Sequence, residues 1–284
     1  MTIHDFLKSQ GFSSQNIIEL KKMNRSILVN NEWMYVNYRL QKGDNLLIHI
    51  QENSSNEKIL PIDLPFPILY EDEDIVIIDK PANMPSHPSQ NNYDNTLANA
   101  AAFYYEKIQN IPFTFRCINR LDKDTTGLTI LAKNMYSASI LAGQMQRRKI
   151  KRLYLAILDG TLEKKYGTIQ LPIGRKPGST IERQIDLLHG ETAITHYYQL
   201  QSLKTYTLAA FQLETGRTHQ IRVHMSSMNA PLIGDSLYNT KDSAYALPRQ
   251  ALHAYRIRFT HPVTKKTMKF TAPIPEDMMN FITT

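Results

Sequence analysis

A chain of 284 residues, 42% of them hydrophobic, can bury one sizeable core and a second small one, which excludes a disordered or fibrous protein. Its 33 Lys and Arg against 26 Asp and Glu give a formal charge of +7, which favours a polyanionic partner. The single cysteine, Cys117, excludes an internal disulfide and a cysteine-built zinc cluster, no apolar run is long enough to span a membrane, and the opening MTIHDFLKSQGF lacks the pattern of a secretory signal, so the expected compartment is the cytoplasm.

In chain order, Ser13 or Ser14 predicts the cap of a short helix over residues 14–23, with Ile17, Ile18 and Leu20 as its apolar contacts. Asn30-Asn31 and Lys42-Gly43-Asp44 then mark turns between short strands. Residues 52–67 are polar, then proline-rich, the composition of an interdomain linker. An acidic turn, EDED, precedes the apolar strand Ile75 to Ile78. Pro81, Pro85 and Pro88 in DKPANMPSHPS require an irregular loop, in which His87 reads as a packing residue. A helix is predicted from Asn95 or Thr96 to Asn110, burying Leu97, Ala101, Tyr104, Tyr105 and Ile108.

The stretch FRCINRLDKDTTGLTILAKN, residues 115–134, sets Asp122 between Arg120 and Lys123, with a turn over Asp124, Thr125, Thr126 and Gly127 and a buried strand from Leu128 to Ala132. Nearby cations favour the ionised form of a carboxylate, which can then act as nucleophile or base. Taken alone, such a stretch reads better as a polar turn whose Asp and Thr side chains satisfy backbone groups. A second helix starts at Asn134, buries Ile140, Leu141 and Met145, and ends in the cations Arg147, Arg148, Lys149, Lys151 and Arg152. That run reads either as a solvated helix end favoured by the helix dipole or as a clamp on a phosphate backbone. Tyr154 follows on a strand over Leu153 to Leu158, where an aromatic is usually core.

GRKPGSTIERQ, residues 174–184, reads as a cation-rich loop, and the segments Thr192 to Gln199 and Tyr206 to Leu213 as adjacent antiparallel strands. In TGRTHQIRVHM a turn at Gly216 leads into a helix with Ile221, Met225 and Met228 on one face and Arg217 at its entrance. His219 and His224 lack HExxH spacing and nearby cysteines, so they read as hydrogen-bonding helix residues rather than metal ligands. Asp235 reads as structural, in a turn with Gly234 and Tyr238. Tyr255, Ile257 and Phe259 alternate with Arg256 and Arg258 before a turn at His261-Pro262, a hairpin with one core face that returns through Thr267 to Thr271. Strands that pair with sequence neighbours, helices that intervene singly and the lack of a Gly-rich phosphate loop predict an α+β fold with a mainly antiparallel sheet.

Residues 115–134 closely resemble the catalytic motif of the RluA-type pseudouridine synthases, an Arg-Leu-Asp triplet followed by Thr-Thr/Ser-Gly and an apolar strand. KRLYLAILDG, ETGRTHQIRVHMSSMNAPLIGDSLYN and HAYRIRFTHPVTKK continue the resemblance in the family's order, while Asn119 and Asn83 stand where the family commonly has His and Gly. The resemblance implies that uridines in RNA are isomerised to pseudouridine by Asp122, through covalent attack or through a glycal. It further implies that Arg217 orients Asp122, that Tyr154 stacks on the target base, and that Arg120 with Arg147, Arg148, Lys149, Lys151 and Arg152 binds RNA. No cofactor or metal is implied. Residues 1–60 resemble a degenerate S4-type RNA-binding module, with Lys21, Lys22 and Arg25 as its phosphate contacts or else a structural remnant, and residues 61–284 make the catalytic domain. The expected enzyme is a monomer acting on ribosomal RNA in preference to transfer RNA. The alternatives are a non-catalytic RNA-binding protein on the same fold and a base-excising hydrolase, which would release free uracil.

Overall fold

In the computed structural model residues 1–51, 58–89, 92–203, 205–240 and 247–282 are described. The first part of the predicted linker, residues 52–57, lies outside them. The chain starts with a seven-residue helix, α1 (Ile3–Ser9), closed by a capping box between Thr2 and Asp5. In α2 (Ser14–Lys22) Ser13 is the cap, its hydroxyl accepting from the Asn16 N–H. Ile17 and Leu20, three residues apart, share the buried face, whereas Ile18 lies off that stripe and is 45% exposed, contrary to its expected contact. Three short antiparallel strands follow, β1 (Ile27–Val29), β2 (Glu32–Trp33) and β3 (Leu46–Ile48), in the order β2-β1-β3. Asn30 and Asn31 make the β1–β2 turn with φ of 52° and 70°, so asparagine supplies the left-handed backbone without a glycine.

The larger sheet has nine strands. Its outer antiparallel part comprises β4 (Ile68–Glu71), β5 (Ile75–Lys80) and β6 (Thr126–Ala132). Ile59 in the predicted linker is already packed beside Val76, Leu97 and Tyr105, so the chain joins this core before the first strand of the sheet. Between β5 and β6 lies α3 (Leu97–Phe103), capped by Thr96, and it passes into a π-helical turn, Tyr104–Ile108. The wider π turn stacks Tyr105 on Phe113 and leaves Ile108 61% exposed, where a continuous α-helix was expected to bury it.

After β6, Asn134 caps α4 (Met135–Gln146), and β7 (Lys151–Asp159) crosses the sheet. α4 also seats the N-terminal piece: the Phe12 and Tyr136 rings lie 4.4 Å apart, and the Asn16 side chain donates to the Met135 carbonyl at 2.9 Å. The remaining strands are β8 (Tyr166–Ile169), β9 (Ile173–Arg175), β10 (Arg183–Ile185), β11 (Thr195–Ser202) and β12 (Tyr206–Leu213). β9 and β10 form a separate antiparallel pair, so part of the expected 174–184 loop is a hairpin. β11 begins three residues later than expected, because the Ile194 N–H is taken by the Thr215 hydroxyl instead of a neighbouring strand. α5 (Gln220–Ser227), β13 (Leu252–Thr260), β14 (Thr267–Thr271) and α6 (Glu276–Met279) complete the chain.

The sheet order is β4-β5-β6-β13-β7-β12-β11-β8, with β14 on β13. Among the described residues every pairing is antiparallel except β6 with β13, so the α+β class with a mainly antiparallel sheet holds. That parallel seam explains the glycine of the TTG motif. Gly127 has a φ of 106°, and a Cβ there would come within 2.4 Å of the Ala254 carbonyl oxygen. The EDED turn is a knot as well: Asp72 accepts from the Tyr70 hydroxyl and from His261, while Asp74 accepts from Asn134 and Ser137, tying three chain segments together.

Candidate active site

A cleft of about 920 Å³ opens where the β5–α3 loop, the segment before β6, the end of α4 and the start of α5 converge. Asp122 lies on its wall, held by its loop rather than by an element. Ser86 makes reciprocal hydrogen bonds with the Leu121 backbone at 2.9 and 3.1 Å, and the Asp122 carbonyl accepts from Thr125 N–H. The buried Lys80 donates to the carbonyls of Pro81, Met84 and Lys123, at 2.7, 2.7 and 3.0 Å, which joins the proline-rich loop to the aspartate loop. Burial pushes the Lys80 ammonium down to about 7, yet three carbonyls need three N–H donors, so the contacts work to keep the charged form. Asn119 bonds β6 with both ends of its amide, to Leu128 O and from Ile130 N at 2.9 Å each.

The guanidinium nearest Asp122 is that of Arg222, whose Nη1 is 3.4 Å from Oδ2. Arg222 is in turn locked to the buried Asp235 by two bonds of 2.7 and 2.8 Å, and Asp235 also accepts from the N–H groups of Leu237 and Tyr238. Burial lowers the Arg222 pKa, but the bonds to Asp235 and its charge outweigh burial and raise it. The expected contact of Arg217 with Asp122 is absent. Arg217 pairs with Glu191 and donates to the Thr192 carbonyl at 3.1 Å on the cleft rim. The reason is the left-handed turn at His219, φ 57°, which separates Arg217 from the helix that carries Arg222 inward. Sequence reasoning missed Arg222: the adjacent Ile221 and Val223 point about 100° away around the helix, so the pattern does not mark it as buried, and only its burial shows that this cation needs a carboxylate. Asp235, read as structural, is that carboxylate.

Tyr154 is 5% exposed and packs with Leu121, Leu213 and Ile221 at the cleft floor. Burial, then the Asp122 charge, push its phenol pKa up, while Arg152 opposes them. The basic run does not form one patch. Arg148, paired with Glu214, and Arg152, buried and donating to the Thr215 carbonyl at 3.2 Å, line the cleft, as does the exposed Arg120. Lys149 and Lys151 are solvent-exposed. Arg147 lines a neighbouring groove between α2 and α4 that shares Ala142 and Gln146 with the cleft. His87 packs its ring edge-on to Phe115, with 5.7 Å between centroids. His224 bonds Thr195 and the Leu171 carbonyl through its two nitrogens, at 2.9 Å each. Burial pushes the Cys117 thiol up to about 12, which keeps the lone cysteine from acting as a nucleophile.

Residues 74–227 match the model of the RNA pseudouridylate synthase family. The chain is 37% identical over 282 residues to the uncharacterized RNA pseudouridine synthase YjbO of Bacillus subtilis, covering 99% of this chain and 98% of that one. It is 39% identical over 252 residues to ribosomal large subunit pseudouridine synthase D of Escherichia coli, covering 84% and 76%. Among solved structures, human RNA pseudouridylate synthase domain containing 1 has the same core fold, with a TM-score of 0.60 and 24% identity over 74% of this chain and 83% of that one. The match spans both loops that build the cleft, and on it the chain belongs to the RNA pseudouridylate synthase family and is an isomerase.

Proposed function

We propose that this enzyme isomerises uridines of ribosomal RNA and that Asp122 starts the reaction. The observation that carries the reading is a carboxylate only 25% exposed on a cleft wall, beside a guanidinium that a second, buried carboxylate immobilises. Such a carboxylate is aimed before substrate arrives. Asp122 either attacks C1′ or takes the ribose C2′ proton. In both routes the C1′–N1 bond breaks, the uracil turns and C5 bonds C1′, which releases Asp122 from C1′ in the first route and returns the proton to C2′ in the second. The C5 hydrogen leaves as a proton while N1 gains one. Tyr154 stacks on the uracil after it leaves the RNA helix. A phenol whose pKa is raised remains protonated, which favours stacking and hydrogen-bond donation over proton removal.

Arg222 takes the orienting role first assigned to Arg217. Arg217, Arg120, Arg148 and Arg152 bind phosphates around the cleft, with Arg147, Lys149 and Lys151 along the flank. Residues 1–60 act as an S4-like module whose Lys21, Lys22 and Arg25, all exposed, contact RNA outside the catalytic domain of residues 61–284. The ribosomal preference is supported by relatives named ribosomal large subunit pseudouridine synthase D; the enzyme works as a cytoplasmic monomer. The test is nucleoside chromatography of ribosomal and transfer RNA transcripts after incubation. One pseudouridine for each uridine lost, in ribosomal transcripts and without free uracil, is the expected result. Release of free uracil would reassign the protein as a base-excising hydrolase.

A further inference from the structure

His219 occupies an unusual place. It is the cap residue of α5, yet its side chain caps nothing, and its backbone is left-handed at φ 57°, ψ 22°. That conformation is strained for a residue other than Gly, Asn or Asp, and such strain persists where the surroundings enforce it. Here it directs the imidazole into the cleft, with the side chain only 10% exposed. Nδ1 lies 2.8 Å from the Tyr238 hydroxyl, and the same hydroxyl accepts the Arg183 N–H at 2.8 Å. With that lone pair engaged, the Tyr238 hydrogen is free to be donated to Nδ1, which leaves the ring proton on Nε2. Nε2 faces Asp122 Oδ2 at 3.9 Å, the oxygen that Arg222 Nη1 approaches at 3.4 Å.

We infer that His219 is a positioning residue for Asp122: its Nε2–H, held in one tautomer by Tyr238, is the second donor that fixes Oδ2 and leaves Oδ1 facing the ribose. Arg222 already gives Oδ2 a long hydrogen bond at 3.4 Å, whereas Nε2 at 3.9 Å stands beyond hydrogen-bond length; both close on the carboxylate when RNA fills the cleft, as such contacts do in other enzymes. Burial lowers the imidazole pKa against the pull of Asp122 and Asp235, with Arg222 and Arg183 pushing the same way, so the ring is the neutral donor that this tautomer requires.

The inference rests on Asp122 as the reacting group, and the experiment separates the two. Wild type, Asp122→Asn, His219→Asn, His219→Gln and Tyr238→Phe are compared by single-turnover pseudouridine formation, RNA affinity and thermal unfolding. Asparagine tolerates the left-handed backbone better than glutamine, so a residue needed only to start α5 would be better replaced by Asn. Glutamine carries an N–H to the Nε2 position and asparagine does not. The expected result is a rate about 100-fold lower in His219→Asn with RNA affinity within about two-fold, and most of the rate retained in His219→Gln. Tyr238→Phe lowers the rate in the wild-type background and adds nothing to His219→Asn. Equal rates for Asn and Gln, a better rate for Asn, or an effect on affinity alone would overturn the inference while an inactive Asp122→Asn left the reading of Asp122 intact. An active Asp122→Asn would remove both.

Discussion

Beneath the cleft floor, where it reaches Asp122, Arg222 has a side chain 5% exposed and gives two bonds to Asp235, which is fully buried. At the rim, Arg148 and Arg217 have side chains 48% and 37% exposed and pair with Glu214 and Glu191, themselves 30% and 69% exposed. The four residues at the rim can exchange partners with little loss, because exposed ion pairs contribute at most about 1 kcal/mol. The floor cannot, because removing one member of a buried pair strands a charge at a cost of about 3–5 kcal/mol. The site thus sets one fixed cation beside the carboxylate and an exchangeable set at the rim.

The sharpest way to break the comparison is at the floor. Asp235→Asn strands the Arg222 guanidinium, so urea unfolding should show a loss of about 3–5 kcal/mol, and pseudouridine formation should slow at unchanged RNA affinity. A loss below about 1 kcal/mol would mean that the floor is no firmer than the rim. A second expectation concerns pH. His253, bonded to Thr126 Oγ1 at 2.9 Å behind the Asp122 loop, is pushed down to about 4 by burial and by the nearby Arg249 charge. Between pH 6.5 and 4 the unfolded chain therefore binds a proton that the folded chain refuses. Stability is present in full above pH 6.5 and falls as pH drops through that window, by about 3 kcal/mol for this residue. His219 and His224, lowered by burial too, act in the same direction. Thermal unfolding at pH 7.5 and 5 should show the fall, and His253→Asn should make it shallower.

The smallest effects belong to the rim. Arg148→Ala and Arg217→Ala should each lower the slope of log affinity against log salt by about 0.7–0.9 while costing less than about 1 kcal/mol in stability. Glu191→Gln, which frees Arg217, should leave stability unchanged and strengthen RNA binding. Filter binding across a salt series checks all three, and an unchanged slope in both arginine variants would place the RNA elsewhere.

Local signals carried well from sequence to structure. Tyr206 to Leu213 is a strand over that whole span, and the helix expected from Asn134 begins at Met135 with Asn134 as its cap; the turn beside Asp122 forms over residues 122–125 rather than 124–127, with Thr126 and Gly127 already in β6. The antiparallel α+β class followed from the same local patterns. What stayed hidden depends on chain reversals. The left-handed residue at His219 decides which arginine reaches Asp122, and no periodicity in TGRTHQIRVHM encodes it. The β9–β10 pair is short and flanks a glycine, so its strands carry no alternation long enough to read. The π turn after α3 keeps the helical pattern in sequence while rotating Ile108 out to solvent. Asp235 was visible as a turn residue, but its partner lies thirteen residues away across a turn.

The central claim is that the floor of the cleft aims Asp122 at a uridine. The direct measurement is tritium release from ribosomal RNA labelled at uridine C5, with wild type and Asp122→Asn side by side, since isomerisation must expel that hydrogen into water. The account expects release by the wild type and a loss of about 10⁴-fold or more in the variant, with RNA affinity within about two-fold. Comparable release by Asp122→Asn would contradict it.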